Sequence, residues 1–146
     1  MADTTITSAN SVVTFVIPSL FPAPFQLGGY AADKAFMTDA IDIAEVNMGV
    51  DGRMTAGFVP NPTKQTYSFQ ADSPSGKGQL LLLAQAMRTA KEIYYIQGEI
   101  VLPSTGQKFV LTRGILTNLK QIPDAQKVLQ PVDFVITWES VNPALL

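Results

Sequence analysis

Residues Gly49 to Ser75 read GVDGRMTAGFVPNPTKQTYSFQADSPS, and three kinds of local signal follow one another along them. Asp51-Gly52 and Pro60-Asn61-Pro62 are turn and breaker chemistry, and Thr66 to Ala71 alternates polar and aromatic residues as a half-buried strand does. Asp72-Ser73-Pro74-Ser75 then offers a capping hydroxyl followed by proline in a first helical turn. The stretch predicts an extended arm over about 49–62, a strand, and a helix start. Met54, Phe58 and Val59 make the arm partly apolar, so it has to be put against something, and in a chain this small another copy is a ready partner.

Downstream, Leu80, Leu83, Ala84 and Met87 recur at helical spacing up to about Ala90, with Lys77, Gln85, Arg88 and Lys91 on the other face. This is a helix packed across one side of a sheet. Leu81 and Leu82 widen its apolar face beyond a single contact. Ile93 to Leu102, the turn Pro103-Ser104-Thr105-Gly106 and Lys108 to Leu119 read as a hairpin, and Gly114 inside its second strand suggests a bulge or bend. Val132 to Trp138 alternates cleanly, with Val132, Phe134, Ile136 and Trp138 on one face.

Upstream, Ser11 to Ile17 is a β-branched run stopped by Pro18, and Ser19 to Asp33 is a loop rich in aromatics, proline and glycine. Phe36 to Met48 alternates imperfectly, as one long strand or two joined by a bulge, with a polar side at Asp39, Asp42, Glu45 and Asn47. Several strands, one helix and three more strands predict a mainly β fold: a two-sheet β-sandwich or partly closed barrel with one flanking α-helix. At 146 residues it forms a single domain, 1–146.

Composition narrows the function. The chain has neither cysteine nor histidine, which removes disulfides, the usual zinc ligands, the Ser-His-Asp triad and the side chain best suited to proton transfer near neutral pH. A net charge of -2 and singly scattered basic residues argue against gripping phosphates. Charged residues make up only 15%, against about 25% in a typical soluble domain, while the mean hydropathy is positive, a balance that fits surface hidden in an oligomer. Apolar runs such as Leu80 to Ala84 are too short to span a bilayer, and MADTTITSANS lacks the features of a secretory signal.

No nucleotide, zinc-protease or serine-hydrolase motif is present, and Gly76-Lys77-Gly78 lacks the spacing of a phosphate cradle. Asp39 and Glu45 fall on one side of an extended strand and Asp42 on the other, the pattern of a solvated polar face more than of a metal or glycosidase site. Tyr94-Tyr95 without a basic groove reads as a strand edge. Neither an enzyme, a cofactor nor a metal is expected.

The block Asp51-Gly52, Gly57-Phe58-Val59-Pro60-Asn61-Pro62 and Phe69-Gln70-Ala71-Asp72-Ser73-Pro74-Ser75 resembles a segment of the tail tube proteins of long-tailed bacteriophages, above all those encoded beside a contractile sheath. The order of elements along nearly the whole chain is similar as well. The resemblance implies a tail-tube-like fold whose copies form hexameric rings, stacked into a hollow tube that conducts the genome into the host cell. It also implies a place in the virion tail after synthesis in the host cytoplasm. Implied partners are the chain itself, the tail sheath, baseplate or tail-tip proteins and the tail terminator, with genomic DNA passing through without specific binding.

On that picture the arm residues Asp51, Arg53, Met54, Phe58, Val59, Pro60 and Asn61 bridge successive rings. Asp42, Glu45, Gln97 and Glu99 are candidates for lining the lumen, where like charge keeps DNA sliding. The alternative reading is a small β-barrel binding an apolar ligand in its interior, lined by Phe15, Tyr67, Phe69, Phe134 and Trp138.

Overall fold

The computed structural model describes residues 11–28, 36–73, 75–103 and 105–145. Strands β1 (Val12–Ile17), β2 (Phe21–Gln26), β3 (Phe36–Thr38), β4 (Ala44–Met48), β5 (Met54–Phe58) and β6 (Thr63–Phe69) precede a π-helical turn, Ser75–Leu80, that runs into α1 (Leu81–Ala90). Strands β7 (Ile96–Leu102), β8 (Gln107–Leu119) and β9 (Val132–Leu145) complete the chain. Seven strands form one antiparallel sheet in the order β2-β1-β7-β8-β9-β6-β3, and β4 pairs with β5 in a separate two-stranded sheet. The fold is mainly β with one flanking helix, as the sequence predicts.

The large sheet curls over its own core. β1 and β6 stand four strand positions apart, which in a flat sheet would separate them by about 19 Å. Yet the rings of Phe15 on β1 and Tyr67 on β6 lie 5.5 Å apart, edge to face. Phe15 also meets Trp138 at 5.6 Å, and Phe69 meets Phe134 at 5.7 Å. All five of these aromatic side chains are fully buried. They fill the interior instead of lining a cavity, which removes the basis of the apolar-ligand reading. Leu80 and Leu83 bring the helical segment onto the same core.

Two glycines make the curl around Trp138 feasible. A methyl group on Gly114 would lie 2.5 Å from the indole ring, and one on Gly98 would lie 3.1 Å from it and 2.8 Å from Phe15. Gly114 is thus a seat for the indole, and the expected bulge sits one residue earlier. Between Leu111 and Gly114, β8 advances three residues against two on β7, with Arg113 in the left-handed conformation at a φ of 47°. A second irregularity follows where Leu116 and Asn118 pair with the adjacent Ile136 and Val135. Such bulges increase local twist and bend a sheet toward a barrel.

Three sequence expectations change in detail. The stretch after Pro18 contains strand β2, although Phe21-Pro22-Ala23-Pro24-Phe25 carries two prolines. Leu27 donates its N–H to Val13 on β1 at 2.8 Å, while Pro22 and Pro24 fall where β2 runs irregularly from Phe25 to Phe21 against Phe15 to Ile17, in an edge strand where a missing ladder donor is tolerated. The rest of the predicted loop, 29–33, lies outside the described residues. Second, Phe36 to Met48 is neither one strand nor a bulged pair: β3 joins β6 in the large sheet, and β4 leaves it for β5. Third, the helix opens with a π-helical turn, Ser75–Leu80, ahead of α1. The Ser73 Oγ donates to the Gly28 carbonyl at 2.6 Å, tying the helix entry to the end of β2.

Candidate functional site

The predicted arm is a β-hairpin that begins before Gly49. Its register pairs Ala44 with Phe58, Val46 with Ala56 and Met48 with Met54 on one face, and Glu45 with Gly57 and Asn47 with Thr55 on the other. One face is entirely apolar, the other mostly polar. All ten strand residues are exposed, Phe58 at 80% and Met48 at 67%. A two-stranded hairpin with no sheet or helix behind it is marginally stable in water, so this apolar face calls for a partner surface.

The two ends of the hairpin are built by local chemistry. At the tip, the Gly52 N–H donates to the Gly49 carbonyl at 2.9 Å and the Gly49 N–H to the Arg53 carbonyl at 2.8 Å. Gly52 takes a φ of 85°, the geometry of a three-residue loop closed by a glycine in the left-handed region. The Asp51 Oδ1 accepts the Arg53 N–H at 3.1 Å and stiffens the turn. At the base, Val59 donates its N–H to the Ile43 carbonyl at 3.0 Å, and the Asn61 Nδ2 donates to the Asp42 carbonyl at 2.7 Å. Pro60 and Pro62 flank that clasp. An open groove of about 920 Å³ lies between this base and the outer half of β9, with Ile43, Phe58 and Val141 in its lining.

The structure gathers Asp51, Arg53, Met54, Phe58, Val59, Pro60 and Asn61 into this one device. It separates the candidate lumen residues. Asp42 and Glu45 belong to the hairpin and its approach, whereas Gln97 and Glu99 lie together on β7, opposite Val16 and Thr14 of β1. Two cations on the large sheet's outer face lie beside acids: Lys108 lies 3.4 Å from Glu99, and Arg113 lies 3.1 Å from Glu139. The Arg113 guanidinium also covers the ring of Tyr95, 4.5 Å from its centroid, so that ring is already occupied on one face. Hydroxyl contacts add to this surface, from Thr117 to Thr137 at 3.2 Å, from Ser68 to Asp133 at 2.6 Å and between Thr112 and Ser140.

Sequence reasoning missed half of the hairpin's apolar face, Ala44, Val46 and Met48. The signal was present: AEVNM and MTAGF alternate with period two on either side of Asp-Gly, the strongest short-range hairpin pattern. It missed one further apolar surface, whereas Leu82 was already read as widening the apolar face of the helix. Ile122, Val128 and Leu129 protrude from the β8–β9 connection, 77%, 71% and 55% exposed. Leu82 lines a groove of about 530 Å³ between α1 and β2.

The fold has counterparts among solved structures. It matches a chain in the cryo-EM structure of the anti-feeding prophage cap, the tube-terminating cap, over 100% of this chain and 95% of that one, with a TM-score of 0.68 and 13% identity. A chain in the extended sheath-tube complex of the PVC extracellular contractile injection system matches with a TM-score of 0.62 and 12% identity, over 97% and 93%. A chain in the sheath/tube terminator of that system matches with a TM-score of 0.63 and 11% identity, over 99% of both. At these identities the likeness is one of fold. No curated protein matches the sequence. The family model for tail fiber protein gp32 matches residues 4–142.

Proposed function

The chain belongs to the tail fiber protein gp32 family, a phage tail protein, and from that premise we propose that it is the repeating structural subunit of a tail tube. In this reading, copies close into hexameric rings, the rings stack, and the genome passes through the lumen into the host cell. The protein performs no chemistry. Its neighbours in the virion are further copies, a sheath, the baseplate or tail tip, and a terminator.

The observation that carries the reading is the exposed hairpin on a tube-and-terminator fold that spans the whole chain. A free-standing apolar face has no role in a monomer. Burying Val46, Met48, Met54 and Phe58 against another copy contributes about 1.5–3 kcal/mol per side chain, offset in part by the cost of ordering the interface. Fibrous architecture is not supported: the described residues form one curled seven-stranded sheet over one core plus the β4–β5 hairpin, with no repeating unit.

Negative-stain microscopy of the purified protein tests the proposal, with rings or tubes as the expected particles. A strictly monomeric species at high concentration, even with a nucleating tail-tip complex added, would overturn it.

A further inference from the structure

We infer that the apolar face of the β4–β5 hairpin of one copy seats in the groove between α1 and β2 of the next copy. The inference rests on the tube reading and names the surface that receives the hairpin. The groove is lined by Leu20, Phe21, Leu82, Ala86 and Tyr94, with Leu82 54% exposed.

Donor and acceptor agree in length, relief and charge. A five-residue strand extends about 17 Å, and the ten-residue α1 about 15 Å. The hairpin presents large knobs at Met48, Met54 and Phe58, while the groove side of α1 is kept low by Ala86 and Ala90. From Asp39 to Arg53 the hairpin and its approach carry four carboxylates against one guanidinium. The C-terminal end of α1 and the residues after it carry Arg88 and Lys91 against Glu92, a net positive end that meets the acidic hairpin with opposite sign.

The other exposed apolar cluster is the poorer acceptor. Ile122, Val128 and Leu129 protrude, and the gap beside their loop encloses only about 20 Å³, so knob would meet knob. Position in the fold favours the groove too. The hairpin springs from the β3–β6 end of the large sheet, and the groove lies against β2 at the other end of the strand order. A copy that has docked therefore still offers a free hairpin and a free groove, the condition for head-to-tail growth.

The absence of cysteine makes a direct test clean. The double variant Val46→Cys, Ala86→Cys, assembled and then oxidised, is expected to give a ladder from dimer upward on a non-reducing gel. The control Val46→Cys, Val128→Cys is expected to give none. Independently, Ala86→Glu should raise the concentration needed for polymer formation roughly tenfold or more, by placing a charge in an apolar contact, with the emission of Trp138 unchanged as proof of folding.

Tubes of the unsubstituted protein combined with a ladder only in the Val128 pair, or with cross-linking of the Ala86 pair that stops at dimers, would overturn the inference and leave the tube reading standing. Absence of polymer from the unsubstituted protein would overturn both.

Discussion

Trp138 organises the core, and the two glycines beneath it set a strict limit on substitution. Gly114→Ala forces a methyl group against the indole at 2.5 Å and is expected to cost about 1–3 kcal/mol, as overpacking does. Gly57→Ala on the hairpin meets nothing within 4 Å and should change stability by no more than about 0.5 kcal/mol. Urea denaturation followed through the single tryptophan distinguishes the two, and equal effects would refute the seat assigned to Gly114. The outer face yields a second expectation. Glu139→Gln and Glu99→Gln release Arg113 and Lys108 from their exposed ion pairs, which should alter stability by less than about 1 kcal/mol. If this face lines the lumen, tubes of the double variant will retain DNA at low salt and release it at high salt, while unsubstituted tubes retain none. Equal retention by both would place the face elsewhere.

Among the elements, the hairpin is separable from the domain that carries it. Asp42 and Asn61 are already joined at its base, so replacing residues 43–59 by a short Gly/Ser linker should leave the thermal midpoint and the tryptophan emission nearly unchanged while abolishing long polymers. Loss of folding on that replacement would show that the hairpin packs on its own domain. Phe58→Asp is a gentler probe with the same expected direction, read by sedimentation as a higher assembly threshold. How far these elements were legible in the sequence depended on whether the signal was local. The β7–β8 turn and the alternation of Val132 to Trp138 fixed their elements, and Asp51-Gly52 was legible as a turn within an arm, because period and turn chemistry reside in neighbouring residues. Strand β2 was hidden because two prolines normally exclude a strand, and only its place at the sheet edge makes them harmless. The start of the hairpin was hidden because Phe36 to Met48 carries one pattern across two sheets, and the exit at Asp39-Ala40-Ile41 is decided by pairing with β6. The π-helical opening was not legible, and no local pattern shows that the Ser73 hydroxyl reaches the Gly28 carbonyl, 45 residues away.

For the molecule as a whole, the curl of the seven-stranded sheet was foreshadowed by one residue, Gly114, but its extent follows from contacts between strands four positions apart, which no sequence period encodes. The proposed assembly surface was legible as an apolar arm and an undercharged composition. Its receiving partner was not, since the groove is made jointly by β2 and α1, more than fifty residues apart in the chain. Prolines 22 and 24 carry a consequence for the life of the free subunit. Between synthesis and incorporation into a tail, a protein with many strands and few charges is exposed to indiscriminate strand addition, the route by which sheets grow into amyloid-like deposits. Two prolines in an irregular stretch of the edge strand β2 blunt that edge against a further strand. Under the tube proposal, this blunted edge keeps the free subunit from indiscriminate strand addition before it is incorporated.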